Sequence, residues 1–162
     1  MLVGLIIIEG IVLSFCYLIT LVIGISNGPI GMVVMYEKDV QDRVIEKGLI
    51  TKKKMNKIFV VTSLALYIPT LVFVPIMVYF INGARGFLNI FWQSSIVALI
   101  ANLFDRLFID WYWVGKTKAW DIPGTEDLKP YIPTKTLIGK WIGTIILTPL
   151  MAAISALIFM WF

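Results

Sequence analysis

Within "ANLFDRLFIDWYWVGK", residues 101–116, the side chains Asn102, Asp105, Arg106 and Asp110 interrupt an otherwise apolar run. Their types allow two kinds of chemistry. A guanidinium grips carboxylate or phosphate oxygens in a planar fork, and carboxylates hold protons or hard cations such as Mg²⁺. The chain has no histidine, and its single cysteine, Cys16, sits among apolar neighbours. Soft-metal centres, histidine triads and intrachain disulfides are thereby set aside. No activated serine or cysteine nucleophile is evident.

On an ideal helix turning about 100° per residue, with Asn102 as zero, Asp105 falls at about −60°, Arg106 at about +40°, Asp110 at about +80° and Trp113 at about +20°. Ser95 and Ala98 share that side. Such a face does not point at lipid, because a charged side chain near mid-membrane costs about 2.5–3.5 kcal/mol on insertion scales. It must meet other helices or a wet cavity. Arg106 reaches Asp110 one turn on and Asn102 one turn back. Asp105, about 100° around from Arg106, needs a different partner: a connector lysine, a hydroxyl, a metal ion or a ligand. The functional expectation is a pocket built from Asn102, Asp105, Arg106, Asp110 and Trp113, with Asp105 and Asp110 as the ligands of any metal. The alternative is a polar network that only locks helices together.

What must position these residues is a bundle of membrane helices. Of 162 residues, 59% are hydrophobic and 15% charged, with a mean hydropathy of +0.90. Soluble chains carry about a quarter charged residues, so too few remain here to cover a water-facing surface. Nucleic acid is not an expected partner despite the net charge of +4. The basic residues flank hydrophobic runs, which points to membrane lipids.

A hydrocarbon layer about 30 Å thick needs roughly 20 apolar residues of helix. Four spans are predicted, at about 2–25, 58–81, 87–114 and 137–162, in one all-α polytopic domain with connections 26–57 and 115–136. The N-terminal run lacks the basic start of a secretory signal and reads as a retained span. Lys38, Arg43, Lys47, Lys52, Lys53, Lys54 and Lys57 lie in the first connection. Lys116, Lys118, Lys129, Lys135 and Lys140 lie in the second or the first turn beyond it, and only Arg85 lies between spans two and three. The positive-inside rule then places both long connections in the cytoplasm and both termini outside.

Details of the connections follow the same logic. Val33, Tyr36, Val40, Val44 and Ile45 have helical spacing, predicting an amphipathic cytoplasmic helix on the membrane surface, ended by Gly48. Ile122-Pro123-Gly124-Thr125 has the chemistry of a type II turn. With Trp120 and Tyr131 nearby, the second connection is expected to fold back as a lid, and Trp120, Asp121, Thr125 and Glu126 could contribute to the site.

In span two, Pro69 and Pro75 predict a kink. In span four, Gly139 and Gly143 begin a small-residue stripe continued by Thr144, Thr148, Ala152 and Ala156, read as internal packing or as a homodimer face. Glu9 lies inside span one. An intramembrane carboxylate invites a proton or cation reading, but snorkelling toward Arg85 and a packing role are the default.

The pair Asp110-Trp111 at a span end, followed by Pro123-Gly124-Thr125-Glu126, resembles a set of small multi-pass bacterial membrane proteins. That resemblance implies that loop and span end work together and assigns no reaction. The spacing N-x-x-D-R-x-x-x-D also partly resembles CDP-alcohol phosphotransferases, without their two-helix aspartate pattern. Three readings follow. One is a pocket open to the cytoplasm that binds or transports an anionic lipid headgroup, small solute or ion, aided by a homo-oligomer or partner membrane subunit. Another is an enzyme using Mg²⁺ on a phosphate-bearing lipid. The third is an accessory subunit without a ligand.

Overall fold

The computed structural model describes residues 1–161, and these are all-α. Four helices are long and apolar enough to cross a membrane. Span one is α1, Leu2–Ile25. A short helix, α2 (Lys38–Glu46), lies in the first connection. Span two joins α3 (Lys52–Ile68) to α4 (Val74–Phe80) through a π-helical turn at Pro69–Phe73. Span three is α5 (Gly86–Phe104) continued by a π-helical stretch, Asp105–Val114. Span four is α6, Thr134–Phe159. This is the architecture of a multi-pass membrane protein, and its exposed surface agrees: Ile7, Ile8, Ile11 and Phe15 on α1 and Ile145, Ile146 and Ile158 on α6 all face outward.

Span three is the central element, packed on α1 and α6. Its buried residues Ile90, Val97 and Ala101 join Leu13 and Leu21 of α1 and Val74 and Val78 of α4 in one core. Both long connections leave at the same end of the bundle, where they pack on each other. Tyr36 of the first is 5.1 Å from Tyr131 and 6.0 Å from Trp120 of the second, ring to ring.

Three boundaries differ from expectation. Span two begins at Lys52 rather than 58, because Thr51 caps it: its side chain accepts from the Lys54 N–H at 3.3 Å. The lysines carry the helix out of the apolar zone. Span four begins at Thr134 rather than 137, directly after Pro133, and its predicted last residue, Phe162, lies outside the described residues. The predicted surface helix is also shorter. Pro29–Met35 is a 3₁₀ segment, Tyr36 is extended, and only Lys38–Glu46 is α-helical. Val33, Val40 and Val44 are fully buried in the core that contains Trp120 and Ile122. The apolar face of α2 is therefore covered by protein and does not rest on lipid.

The prolines of span two are absorbed by a π turn. The Val74 N–H reaches back five residues to Pro69 C=O, and the Thr70 hydroxyl donates to Leu66 C=O at 3.1 Å. Tyr17 of α1 then donates to Thr70 Oγ1 at 2.7 Å, tying span one to the irregular turn.

Candidate functional site

Four charged side chains form a cluster where span three meets α6. Arg106 donates to both Asp105 and Asp110, and Lys140 Nζ donates to the second Asp110 oxygen at 2.7 Å. The pair with Asp110 is the predicted one. The pair with Asp105 corrects the expectation of divergence, which assumed α-helical phase. From Asp105 onward the helix is π, with wider turns that rotate somewhat less per residue, and the long Arg106 side chain spans the remaining angle to reach both carboxylates. Lys140 supplies the remaining positive charge: two cations now match two carboxylates. Asn102 does not turn back to Arg106 either. Its Nδ2 donates to Thr148 Oγ1 of α6 at 2.9 Å.

The cluster is polarised. Arg106 and Lys140 line a cavity of about 920 Å³, bounded by span two on one side and α6 on the other. Asn102, Thr144 and Thr148 add polar groups along it, while Leu71, Val74 and Met151 make its wall apolar. Asp105 and Asp110 do not line this cavity. With Tyr36, Trp120, Tyr131 and the other side of Lys140 they enclose a space of about 20 Å³, room for one water. Arg106 and Lys140 thus stand in the wall of the large cavity while their nitrogens hold Asp105 and Asp110, which lie off it. A third cavity, about 570 Å³, lies among the connections and is lined by Asp110, Lys116, Lys118, Asp121 and Lys129.

Gly139 and Gly143 belong to the large cavity and not to a helix contact. A Cβ added at Gly139 would meet nothing within 4 Å, and one at Gly143 would meet only Leu147 Cδ1 at 3.9 Å. The internal-packing expectation holds for the later part of the stripe, where Thr144, Thr148, Ala152 and Ala156 are buried. It fails for the glycines, because span two diverges from α6 there.

Trp113 also moves out of the expected site. Its ring packs edge-on to Trp120 at 5.2 Å, in the aromatic cluster of the connections. The four loop residues divide similarly. Trp120 lines the small space beside Asp105, whereas Asp121 pairs with Lys129 at 2.7 Å in the connector cavity. Thr125 is fully buried, donates to Ile122 C=O at 2.8 Å and meets Tyr131 OH at 3.0 Å. Glu126 accepts from the Gly124 N–H at 3.0 Å. Thr125 and Glu126 thus shape the turn, in which Gly124 has φ +83° and Thr125 N–H donates to Ile122 C=O.

The loop is latched to α2. Arg43 holds Asp127 with both nitrogens at 3.1 Å, and Lys47 Nζ donates to Gly124 C=O at 2.7 Å. Tyr36 OH donates to Trp120 C=O at 2.6 Å, and burial pushes its phenol upward, keeping it a donor. The hydrogen bond from Arg43 holds the Asp127 carboxyl below the usual range. A depressed carboxylate contributes stability that is complete above its unfolded value, about 3.9 for aspartate, and is lost as pH falls through the lower folded value. Amide-exchange protection at 122–128 should therefore be flat through neutral pH and decline only on strong acidification. Asp127→Asn should lower protection at neutral pH and remove that acid limb.

The residues do not fit the divalent cation that the phosphotransferase resemblance implies. Asp105 and Asp110 are bridged by Arg106, and Asp110 is shared with Lys140. Among the described residues no three acidic, cysteine or histidine side chains are grouped to hold a metal.

Lys140 is the member of the charged cluster that the sequence marks only for topology. Its signal was a lysine one turn inside the apolar run of span four, with Thr144 and Thr148 following at steps of four. Comparison with family models, with curated proteins and with solved structures finds no match to this chain.

Proposed function

We propose that this multi-pass membrane protein binds an anionic phospholipid, taking the headgroup into the cavity between span two and α6. The observation that carries the reading is the make-up of the cavity wall, which includes both cations of the charged cluster, Arg106 and Lys140, and neither of its carboxylates, Asp105 and Asp110. A phosphate near the two cations would gain charge-assisted hydrogen bonds. The hydroxyls of Thr144 and Thr148 suit a glycerol backbone, and the apolar wall suits the start of an acyl chain. Tyr67 and Leu147, both more than half exposed, stand at the rim on the side that faces lipid. The volume is within the range of small-molecule sites, about 300–1,000 Å³. With the lysine-rich connections in the cytoplasm, the headgroup would sit in the inner leaflet. The loop latched to α2 suits the same picture, since its Trp120 and Tyr131 back the carboxylates.

Native mass spectrometry with phosphatidylglycerol and phosphatidylcholine tests the proposal. Wild-type protein should retain the anionic lipid preferentially. Lys140→Gln should weaken that retention by about tenfold, equivalent to about 1.4 kcal/mol, and Gly143→Leu should abolish it by filling the cavity. Equal retention of both lipids, or retention unaffected by either substitution, would refute it.

A further inference from the structure

At the end of the bundle opposite the connections, three polar side chains meet out of water. Asn82, between α4 and α5, donates from Nδ2 to Glu9 Oε2 of α1 at 3.0 Å and to Gln93 Oε1 of α5 at 3.1 Å. Glu9 is 6% exposed and Gln93 3%. This corrects the expected pairing of Glu9 with Arg85. The Arg85 guanidinium donates to Tyr79 C=O at 2.6 Å and Ala84 C=O at 2.9 Å, and lies 3.8 Å above the Tyr79 ring. Tyr79 is the titratable side chain beneath it. Among the described residues, Glu9 forms no ion pair.

Two buried atoms of the cluster have no partner: Glu9 Oε1 and Asn82 Oδ1. Both are acceptors if Glu9 is ionised. Each would then leave a hydrogen bond unmade in a dry site, which is costly, and the charge would lie uncompensated within a span. One hydrogen removes all three problems. Placed on Glu9 Oε1, it donates to Asn82 Oδ1, while Asn82 Nδ2 already donates to Glu9 Oε2. The result is the two-bond ring that a carboxylic acid forms with a primary amide.

We propose that Glu9 and Asn82 form a proton-binding site, occupied in the native protein at neutral pH, with Gln93 fixing the amide orientation. The site is separate from the phospholipid reading and does not depend on it. Asn82 Nδ2 spends one N–H on Glu9 Oε2 and the other on Gln93 Oε1, which fixes the plane of the amide beside the carboxyl group. The ligand is a proton because the orphan pair calls for one shared hydrogen and no basic side chain supplies the charge.

Infrared difference spectroscopy on the full-length protein in lipid tests this. Wild type at neutral pH should show the carbonyl stretch of a protonated, hydrogen-bonded carboxyl group, and Glu9→Gln should lose that band while keeping its thermal midpoint, since an amide pair can close the same ring. Asn82→Ala leaves Glu9 in place and should move the band to higher frequency as the carbonyl loses its donor. An ionised Glu9 at neutral pH overturns the proposal, as does a band that Asn82→Ala leaves unmoved. So does a wild-type midpoint that rises with sodium or potassium and does so only when Glu9 is present, which would assign a metal cation instead.

Discussion

Replacing Arg106 with leucine is expected to destabilise the folded bundle by about 3–5 kcal/mol, the usual cost of removing one partner from a buried charge cluster. The side chain is 11% exposed and is the only contact of Asp105 within the cluster, while Asp110, 5% exposed, keeps Lys140. Without the guanidinium, two carboxylates remain in span three with the Lys140 ammonium alone to compensate them. Arg106→Lys should be milder but not neutral, because a single ammonium cannot fork between two carboxylates. Thermal unfolding in one fixed detergent, following helical signal, reads both. The double variant Arg106→Leu with Asp105→Asn should recover part of the loss, since the orphaned charge is what costs most. If Arg106→Leu unfolds with the wild-type midpoint, the cluster is not holding span three.

Gly31→Ala is expected to be the other severe substitution, for a steric reason. A Cβ at residue 31 would overlap the carbonyl oxygen of Gly24, a backbone atom at the end of α1. Neither side of that contact can rotate away, so the 3₁₀ segment must separate from α1. The adjoining Met32 and Val33 are 2% and 0% exposed, and Val33 shares its core with Tyr36 and Trp120. Displacing the segment therefore loosens the aromatic cluster over the charged residues. Overpacking of this kind costs about 1–3 kcal/mol, and a rigid backbone contact belongs at the upper end. The control is Gly139→Ala, whose Cβ meets nothing within 4 Å. It replaces a helical glycine and should raise the thermal midpoint slightly. Equal effects from the two variants would contradict the packing described at Gly31.

The four spans were legible because twenty-residue apolar runs have few alternatives in a membrane. The Arg106–Asp110 pair was legible as well, since i,i+4 contact survives modest distortion of a helix. Phase beyond Asp105 was not. Nothing in "DRLFIDWYWV" announces a π-helical stretch, and the angular argument that separated Asp105 from Arg106 failed with the α-helical assumption. The cover over α2 was hidden for another reason. Its Val40 and Val44 carry the same pattern whether the apolar face meets acyl chains or Trp120 and Ile122. Glu9 pairs with Asn82, which also holds Gln93, and sequence distance does not bring these three elements together. Gly139 and Gly143 show the limit of a small-residue motif: it permits close approach, and the divergence of span two left it facing space.

Crosslinking with a photoactivatable phosphatidylglycerol in lipid nanodiscs tests the central claim most directly. The account predicts label on α6 peptides containing Gly143, Thr144 and Thr148 and on span two around Thr70, competed by unlabelled phosphatidylglycerol and not by phosphatidylcholine. Label spread evenly over outward residues such as Ile7, Ile11 and Ile145, with no preference for the cavity and no difference between the two competitors, would contradict it.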